Sequence, residues 1–500
     1  MITKLIKSIA ATATLILTSF TFAQSAPKPP NVLFVICDDL NLSEGCYGNT
    51  VVHTPNIDRL AERGVRFQRA YANWPLCLPS RNSFLSGRRP DERFNTMDLL
   101  RQHVPDVEFL PEHFRKAGYF TARVGKLFHT RSVFNADYPK NMEDPLCWDV
   151  SDNAYTKQDP CGYSVVYSSV PKGLAANPEL QEIVVFHDLL NKAGGPAYDY
   201  WMERAALKLD DSETVDGNIA SHVSLLLEEN ANRKHPFFIA AGFRRPHLLW
   251  TAPKKYFDLY DPKKIQLPVE PEGHEKLVPP IAFTRRAPDM TDEHRKMAIQ
   301  SYYACVSSVD HQVGVLLDEM DKLKLWANTI VLFTSDHGWH LDEHGMWGKV
   351  SLFQESAKVP LIIAAPGIKP GVCPRTVEMV DYYPTLTQLA GLPNPANLDG
   401  TSLVPQLQQP DAARNRPAFS VLRHGKTWGK SVDTEDWRYT EWGDAANKGA
   451  ELYDLRTDPK EYHNLAQDPQ FADTRAKLKA ILDPVTGKLR DAEKAGPASD

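Results

Sequence analysis

Short, unbroken apolar runs alternate along the chain with longer segments in which apolar residues recur every three or four positions. Unbroken runs are typical of strands buried on both faces, and spaced apolar residues are typical of helices that cover a sheet. The predicted strands are 31–37, 119–124, 236–241, 329–334 and 359–364, and the predicted helices are 56–62, 110–116, 292–324 and 382–389. This alternation predicts an α/β fold with a mostly parallel sheet flanked by helices.

The chain is predicted to contain three parts. Residues 1–23 combine Lys4 and Lys7 with an apolar stretch and a small-residue cleavage site, which is the pattern of a secretory signal peptide. We therefore expect an exported protein, periplasmic or secreted. Residues 24–405 are predicted to form the catalytic domain. Residues 406–500 begin with a linker-like segment and are predicted to form a small α+β subdomain with an antiparallel sheet.

Two further features of the chain limit the function classes. No apolar run outside the signal peptide approaches the length of a membrane span. The net charge is −6 at pH 7, and there is no basic tail or stripe, so nucleic-acid binding is not expected. An anionic substrate would need a local cationic pocket. The segment 130–215 is rich in Pro, Gly, Asn and Asp, and it is predicted to form long loops over the active face.

The seven cysteines are an odd number, and no CxxC pair or Cys/His cluster indicates zinc. Export permits disulfides, and Cys147 and Cys161 bracket a loop, so they are the best candidates for a bridge. Cys37 ends an apolar run and is predicted to be a buried thiol.

Acidic and histidine residues follow three predicted strands. Asp38 and Asp39 follow the first, Asp336 and His337 follow another, and a segment ending at His247 follows a third. The carboxyl ends of parallel strands meet at one edge of a sheet, where the sites of open α/β folds lie. An aspartate pair alone could be a helix cap or a turn. Carboxylates that converge from two strands suit Ca²⁺ or Mg²⁺.

The most informative motif is Cys77-Leu-Pro-Ser-Arg81, which random placement would give in roughly one chain in a thousand of this length. With its surroundings, it resembles the formylglycine-dependent type I sulfatases of the alkaline phosphatase superfamily. The resemblance implies an alkaline-phosphatase-like fold. It also implies that a formylglycine-generating maturation enzyme oxidises Cys77 to an aldehyde, whose hydrate is the nucleophile.

The resemblance assigns roles residue by residue. It implies a divalent cation, Ca²⁺ rather than Mg²⁺, held by Asp38, Asp39, Asp336, His337 and the converted Cys77. It implies that His247 protonates the departing sugar oxygen and that His129 removes a proton from the second hydroxyl of the hydrate. The implied catalytic set is Cys77, Arg81, Lys126, His129, His247 and Lys349, of which Lys126, His247 and Lys349 also contact the substrate.

Other residues resemble the iduronate-2-sulfatase branch of this family more than its other branches. They are Gly125 to His129, Arg245-Pro-His247, and His337, where many relatives have Asn. This branch implies a sulfated oligosaccharide substrate and cleavage of the 2-O-sulfate of a terminal uronic acid. The uronate carboxylate would need a further cationic or histidine group, for which the candidates are Arg244, Arg245 and His340.

The chain also departs from the pattern of its relatives. Asp342 stands where the family usually has Gly, and Leu248 to Trp250 differ from the lysosomal branch member. Both changes could alter the sugar-binding pocket. The alternatives are therefore a sulfatase for another sugar position, a phosphate or phosphonate monoester hydrolase of the same superfamily, and a non-catalytic glycan-binding protein.

Overall fold

The computed structural model describes residues 28–96, 98–129, 143–154, 184–189, 202–284, 286–287, 290–487 and 489. The predicted signal peptide and Cys161 lie outside this range. No two cysteines of the described ranges are bonded to each other, and the bridge between Cys147 and Cys161 stays a prediction. In the described part of the chain, no helix is both long and apolar enough to cross a membrane.

The secondary structure alternates between strands and helices over most of the chain. The strands are β1 (Asn31–Asp38), β2 (Val65–Tyr71), β3 (Phe120–Gly125), β4 (Val150–Asp152), β5 (Val184–Leu189), β6 (Glu203–Leu207), β7 (Phe237–Pro246), β8 (Trp250–Pro253), β9 (Thr329–Ser335), β10 (His340–Leu341), β11 (Trp347–Gly348), β12 (Lys358–Val359), β13 (Leu361–Ala364), β14 (Gly371–Glu378), β15 (Ala418–His424), β16 (Thr427–Asp433), β17 (Trp437–Trp442) and β18 (Gly449–Asp454). The α-helices are α1 (Pro55–Ala61), α2 (Cys77–Ser86), α3 (Leu100–His103), α4 (Leu110–Lys116), α5 (Val215–Asn230), α6 (Lys254–Phe257), α7 (Asp292–Lys322), α8 (Gln354–Ala357), α9 (Tyr382–Leu389), α10 (Val404–Gln408) and α11 (Ala472–Thr486).

The main sheet has the strand order β12-β2-β13-β9-β1-β7-β3-β4, and β14 also pairs with β2. The run from β9 to β4 is parallel, whereas β13 pairs antiparallel with both β9 and β2. The predicted α/β class with a mostly parallel sheet is confirmed. Parallel order aligns the carboxyl ends of β1, β3, β7 and β9 along one edge of the sheet.

Strand β1 shows why the first apolar run is unbroken. Leu33, Val35 and Cys37 face a core that α5 and α7 cover. Val32, Phe34 and Ile36 face the opposite core, which α2, α4 and α9 cover. Because both faces are buried, every position of the strand between Asn31 and Asp38 at its two ends is apolar.

The C-terminal part contains the four-stranded antiparallel sheet β15-β16-β17-β18. One face packs on α11 through residues such as Val432 and Leu482. The other face packs on the main domain, where Trp428 lies edge-on against Trp74 with ring centroids 5.1 Å apart. The predicted antiparallel sheet is confirmed. The predicted domain boundary at 405/406 falls inside α10, and the domain limits stay a prediction.

The prediction of loops throughout 130–215 is wrong in part. Strands β4, β5 and β6 lie in this segment, and β6 pairs with β5 and β8 in a second, three-stranded sheet. Strand β4 extends the main sheet beside β3. The polar residues Glu203 and Arg204 open β6, so its pattern is not an apolar run, although all of its residues are buried. The sequence analysis also did not predict β2, β14 or α5.

Candidate active site

The predicted site residues converge at the carboxyl edge of the main sheet. Asp38 and Asp39 leave β1, whose neighbours β9 and β7 lead into Asp336 and His247. Strand β3 leads into Lys126. It can approach β7 closely because Gly125 has a φ of +82°, and a side chain there would lie about 2.2 Å from the Gly242 carbonyl oxygen.

Cys77 is the first residue of helix α2 and is 2 % exposed. Its Sγ lies 3.4 Å from Asp38 Oδ1, 3.2 Å from His337 Nε2 and 2.9 Å from Lys349 Nζ. Burial, followed by the charge of Asp38, raises the pKa of the thiol well above its usual value. The side chain that the motif singles out therefore lies at the centre of the charged cluster.

Three buried carboxylates and one imidazole form a candidate site for a hard divalent cation. Asp38, Asp39 and Asp336 are each 0 % exposed, and Asp39 Oδ2 has no hydrogen-bond partner. His337 Nδ1 is fixed by the Gly338 carbonyl at 3.0 Å, so Nε2 faces Asp39 Oδ1 at 3.4 Å. Burial and the neighbouring carboxylates raise the pKa of Asp39 to about 7, against the opposing charge of Lys349. The residues present fit the cation that the sequence implies.

Arg81 holds the carboxylates of two strands together from the next turn of α2. Its Nε donates to Asp336 Oδ2 at 2.8 Å, and its NH2 lies 3.3 Å from Asp38 Oδ1. Its NH1 donates to the carbonyls of Lys126 and Leu127 at 2.7 and 2.9 Å. The side chain is fully buried. Arg81 therefore positions the metal-site carboxylates and the loop that carries Lys126.

Two lysines complete the cationic side of the cluster. Lys126 Nζ donates to Asp38 Oδ2, and Lys349 Nζ donates to Asp39 Oδ1 at 2.8 Å. Lys126 and Arg81 hold the pKa of Asp38 well below its ordinary value, although burial alone would raise it. The three carboxylates thus face three cationic side chains. Their charges cancel, so a bound divalent cation would give the site a net positive charge, which would attract a sulfate ester.

The two candidate acid/base histidines also lie at this edge. His247 Nε2 lies 3.7 Å from Asp39 Oδ2, and its Nδ1 lies against the Leu248 carbonyl at 2.5 Å. Burial, followed by the charge of Lys349, holds the pKa of His247 well below its usual value. His129 has its pKa lowered by burial and then by the charge of Lys126. Both rings are therefore neutral at pH 7 before substrate binds.

The three candidates for uronate binding have different surroundings. Arg245 is buried, and its guanidinium donates to the carbonyls of Thr251 and His247, so it supports the turn after β7. Arg244 is 1 % exposed at the end of β7. His340 is also buried, donates to or accepts from Ser351 Oγ at 3.1 Å, and packs against the C-terminal side through Phe353. The assignment of these three side chains to uronate binding stays a prediction.

Two positioning residues have no signal in the linear sequence. Asp216 on α5 accepts the backbone N–H groups of Arg244 and Arg245 at 2.7 and 3.1 Å, which fixes the approach to His247. Tyr302 on α7 donates to the Asp39 carbonyl at 2.7 Å and accepts the Asn41 N–H at 2.8 Å. Each of these residues contacts a partner more than 25 positions away in the sequence. The only local sign of such a role is an acid or a hydroxyl on an otherwise apolar helix face.

The Tyr302→Phe substitution should lower the free energy of unfolding by about 1–3 kcal/mol, because it leaves the buried Asn41 N–H and Asp39 carbonyl without their partner. Urea unfolding of the two proteins measures this difference. Tyr303→Phe on the next, partly buried position serves as the control. Equal stability of Tyr302→Phe and the unmodified protein would show that the hydroxyl does not support the metal-site loop.

Comparisons with known proteins agree with this fold and site. A protein-family model described as Sulfatase matches residues 30–392, and a second, described as N-sulphoglucosamine sulphohydrolase, C-terminal, matches residues 342–488. The chain is 31 % identical to a sulfatase of Formosa agariphila, over 94 % of this chain and 89 % of the relative. It is also 31 % identical to the iduronate 2-sulfatase of Mus musculus, over 89 % of this chain and 92 % of the relative.

Among solved structures, the chain is similar to the phosphonate monoester hydrolase of Agrobacterium radiobacter. The TM-score is 0.69 at 22 % identity, over 94 % of this chain and 100 % of the other. This likeness shows the fold, which sulfatases and phosphonate hydrolases share. The sulfatase family model matches most of the chain, and the iduronate 2-sulfatase matches most of both chains. The chain therefore belongs to the sulfatase family, and it is a sulfuric ester hydrolase.

Proposed function

We propose that this sulfatase removes the 2-O-sulfate of a terminal uronic acid in a sulfated oligosaccharide, with a formylglycine at position 77 and a bound Ca²⁺. The observation that supports the reaction is the position of Cys77 Sγ, between the Asp38 and His337 side chains and 2.9 Å from Lys349 Nζ. The observation that supports the substrate is the 31 % identity to an iduronate 2-sulfatase over most of both chains.

The aldehyde hydrate supplies two hydroxyl groups on one carbon, and the cation supplies a Lewis acid beside it. The other parts of the reaction belong to side chains of this chain. Lys126 and Lys349 are point charges that neutralise sulfate oxygens. Arg81 keeps Asp38 and Asp336 at a fixed separation, so that reorganisation during the reaction is small.

His247 and His129 carry the two protons of the reaction. His247 is the general acid, because the charge of a bound sulfate ester raises the pKa of a nearby imidazole and favours its protonated form. His247 then donates its proton to the departing sugar oxygen. His129 is the general base, and burial and Lys126 keep it neutral so that it can accept a proton from position 77.

Ca²⁺ fits this donor set better than a softer metal. The candidate ligands are three buried carboxylates with one imidazole, and carboxylate oxygens are preferred by hard cations. Position 77 lies beside these carboxylates, with Cys77 Sγ 3.4 Å from Asp38 Oδ1 and 3.8 Å from Asp39 Oδ1, so a converted residue 77 adds a further oxygen ligand. Ca²⁺ accepts flexible coordination with more ligands than Mg²⁺, which demands a near-ideal octahedron.

The second candidate is a phosphonate or phosphate monoester hydrolase, which the TM-score of 0.69 to a phosphonate monoester hydrolase favours at the level of the fold. Sulfate esters and phosphonate monoesters carry one negative charge and phosphate monoesters two, so charge distinguishes sulfate from phosphate but not from phosphonate. Turnover of an aryl sulfate, the matching aryl phosphate and an aryl phosphonate monoester by the same preparation separates the two candidates. We expect kcat/KM to be at least about 10²-fold higher for the sulfate, which is a difference of roughly 2.7 kcal/mol.

The sugar position is tested with two sulfated disaccharides. One carries a 2-O-sulfate on its terminal uronic acid, and the other carries a 6-O-sulfate on glucosamine. We expect desulfation of the first at a rate at least about tenfold higher. Preference for the second with a retained aryl sulfatase activity would leave the reaction in place and overturn the proposed position. A higher rate on aryl phosphate would overturn the reaction itself.

A further inference from the structure

A second buried group of metal-ligating side chains lies outside the active site. His344, Glu355 and Glu461 each offer one ligand atom, and the three atoms lie within 4.8 Å of one another. His344 belongs to the connection between β10 and β11, Glu355 to helix α8, and Glu461 to the segment after β18. The group therefore links a loop and a helix of the catalytic part to the C-terminal part. Its members lie up to 117 positions apart in the sequence, so they do not form a short zinc-binding motif.

Two members of this group offer ligand atoms that make no regular hydrogen bond to the described residues. His344 is 0 % exposed, and both of its ring nitrogens are such atoms, although the Lys460 backbone lies beside the ring; Glu355 Oε2 is a third. The Lys460 backbone favours the protonated ring, but burial outweighs it and keeps the pKa of His344 well below its usual value. The ring of His344 is held flat against Phe353 at a centroid distance of 4.0 Å.

Carboxylates lie around this imidazole together with the cationic side chains of Arg438, Lys460 and Lys358. Glu461 accepts from Arg438 and from the Gln354 N–H at 2.9 Å, and Glu355 Oε1 lies 3.7 Å from Lys460 Nζ. Glu343, next to His344 in the sequence, adds a third carboxylate, and its side chain is half-buried. Buried carboxylates that repel one another are costly without a further cation.

We propose that His344, Glu355 and Glu461 bind a divalent transition metal ion, for which Zn²⁺ is the probe. This group has one imidazole and two carboxylates, which is fewer ligands and a larger share of nitrogen than in the active site, and three nitrogen and oxygen ligands of this kind are typical of zinc. The ion links the β10–β11 connection to the C-terminal part. Lys349 directly follows β11, so the same ion stabilises the base from which Lys349 reaches the active site.

The test is the metal content of the full-length protein, purified and dialysed against Zn²⁺ with Ca²⁺ in excess to fill the catalytic site. We expect about one zinc ion per chain. We also expect Zn²⁺ at 100 times its Kd to raise the thermal midpoint by about 3–5 °C. His344→Gln and Glu355→Gln should each lower the zinc content at least about tenfold and abolish the shift.

Two controls separate this site from the rest of the molecule. Glu441→Gln removes a buried carboxylate of the same C-terminal sheet that lies outside the group, and it should keep its zinc. Asp39→Asn changes the catalytic site and should also keep it. X-ray absorption on the unmodified protein needs no variant and should show nitrogen and oxygen ligands at about 2.0–2.1 Å without sulfur.

Zinc below about a tenth of an ion per chain, with no thermal shift, would overturn the proposal and leave a cluster neutralised by protons on its carboxylates. Stoichiometric zinc that survives both His344→Gln and Glu355→Gln would overturn it equally, because the ion would then lie elsewhere. A sulfur shell in the absorption spectrum would have the same meaning.

Discussion

The Cys77→Ala variant should hydrolyse sulfate esters at least about 10⁴-fold more slowly than the unmodified protein, because alanine cannot be converted to the aldehyde that supplies the nucleophile. The position is buried between Asp38, His337 and Lys349, so no other side chain of the described site lies where the reacting oxygen must be. Steady-state turnover of an aryl sulfate measures the loss.

The control for this substitution is Cys46→Ala, which removes a half-buried free thiol outside the site. It should leave kcat within about twofold of the unmodified protein. Cys77→Ser is a second comparison, since serine has one hydroxyl where the hydrate has two. It should react once at most and then stall. Sustained turnover by Cys77→Ala, at rates above about 1 % of the original, would contradict the assigned role of residue 77.

The Arg81→Ala variant should lose about 3–5 kcal/mol of unfolding free energy, because it leaves two buried carboxylates without their shared partner. Arg81 is 0 % exposed, and it contacts Asp38, Asp336 and the carbonyls of Lys126 and Leu127. The same change should lower kcat/KM, because the carboxylates and Lys126 lose their fixed positions. Urea unfolding and aryl sulfate turnover measure the two effects.

Arg93→Ala is the matched control for Arg81→Ala. Arg93 also forms an arginine–carboxylate pair, with Asp91, but its side chain is 49 % exposed. Exposed pairs contribute about 0–1 kcal/mol, so the control should be nearly neutral. If Arg81→Ala lost no more stability than Arg93→Ala, the bonds from Arg81 would not be what holds the metal-site strands together.

The sequence predicts the buried strands of this fold better than its other parts. Strands β1 and β9 have unbroken apolar runs, 32–37 and 330–333, because both faces are covered, and acids stand at or just after their ends. Strand β2 alternates apolar residues with Arg66 and Gln68, and β6 opens on Glu203 and Arg204. These patterns differ from the unbroken run of a central strand. They were therefore missed, although tertiary packing buries much of both strands.

The sequence also predicts some residues of the candidate site better than others. Acids at strand ends and the Cys77 motif are local patterns, and the structure places Asp38, Asp39, Asp336 and Cys77 in one group of contacts. Asp216, Tyr302 and the His344 group depend on contacts between elements far apart in sequence. Hydrophobic periodicity predicts which face of a helix is buried, but it does not predict which residue of another element each side chain on that face contacts.

The measurement that tests the account most directly is the mass of the tryptic peptide Ala70 to Arg81. The protein should come from cells that contain a formylglycine-generating enzyme, and the same preparation should be assayed for sulfate ester turnover. We predict the mass loss of a CH₂–SH group converted to an aldehyde, in proportion to the specific activity. An unmodified thiol in fully active protein would contradict the account.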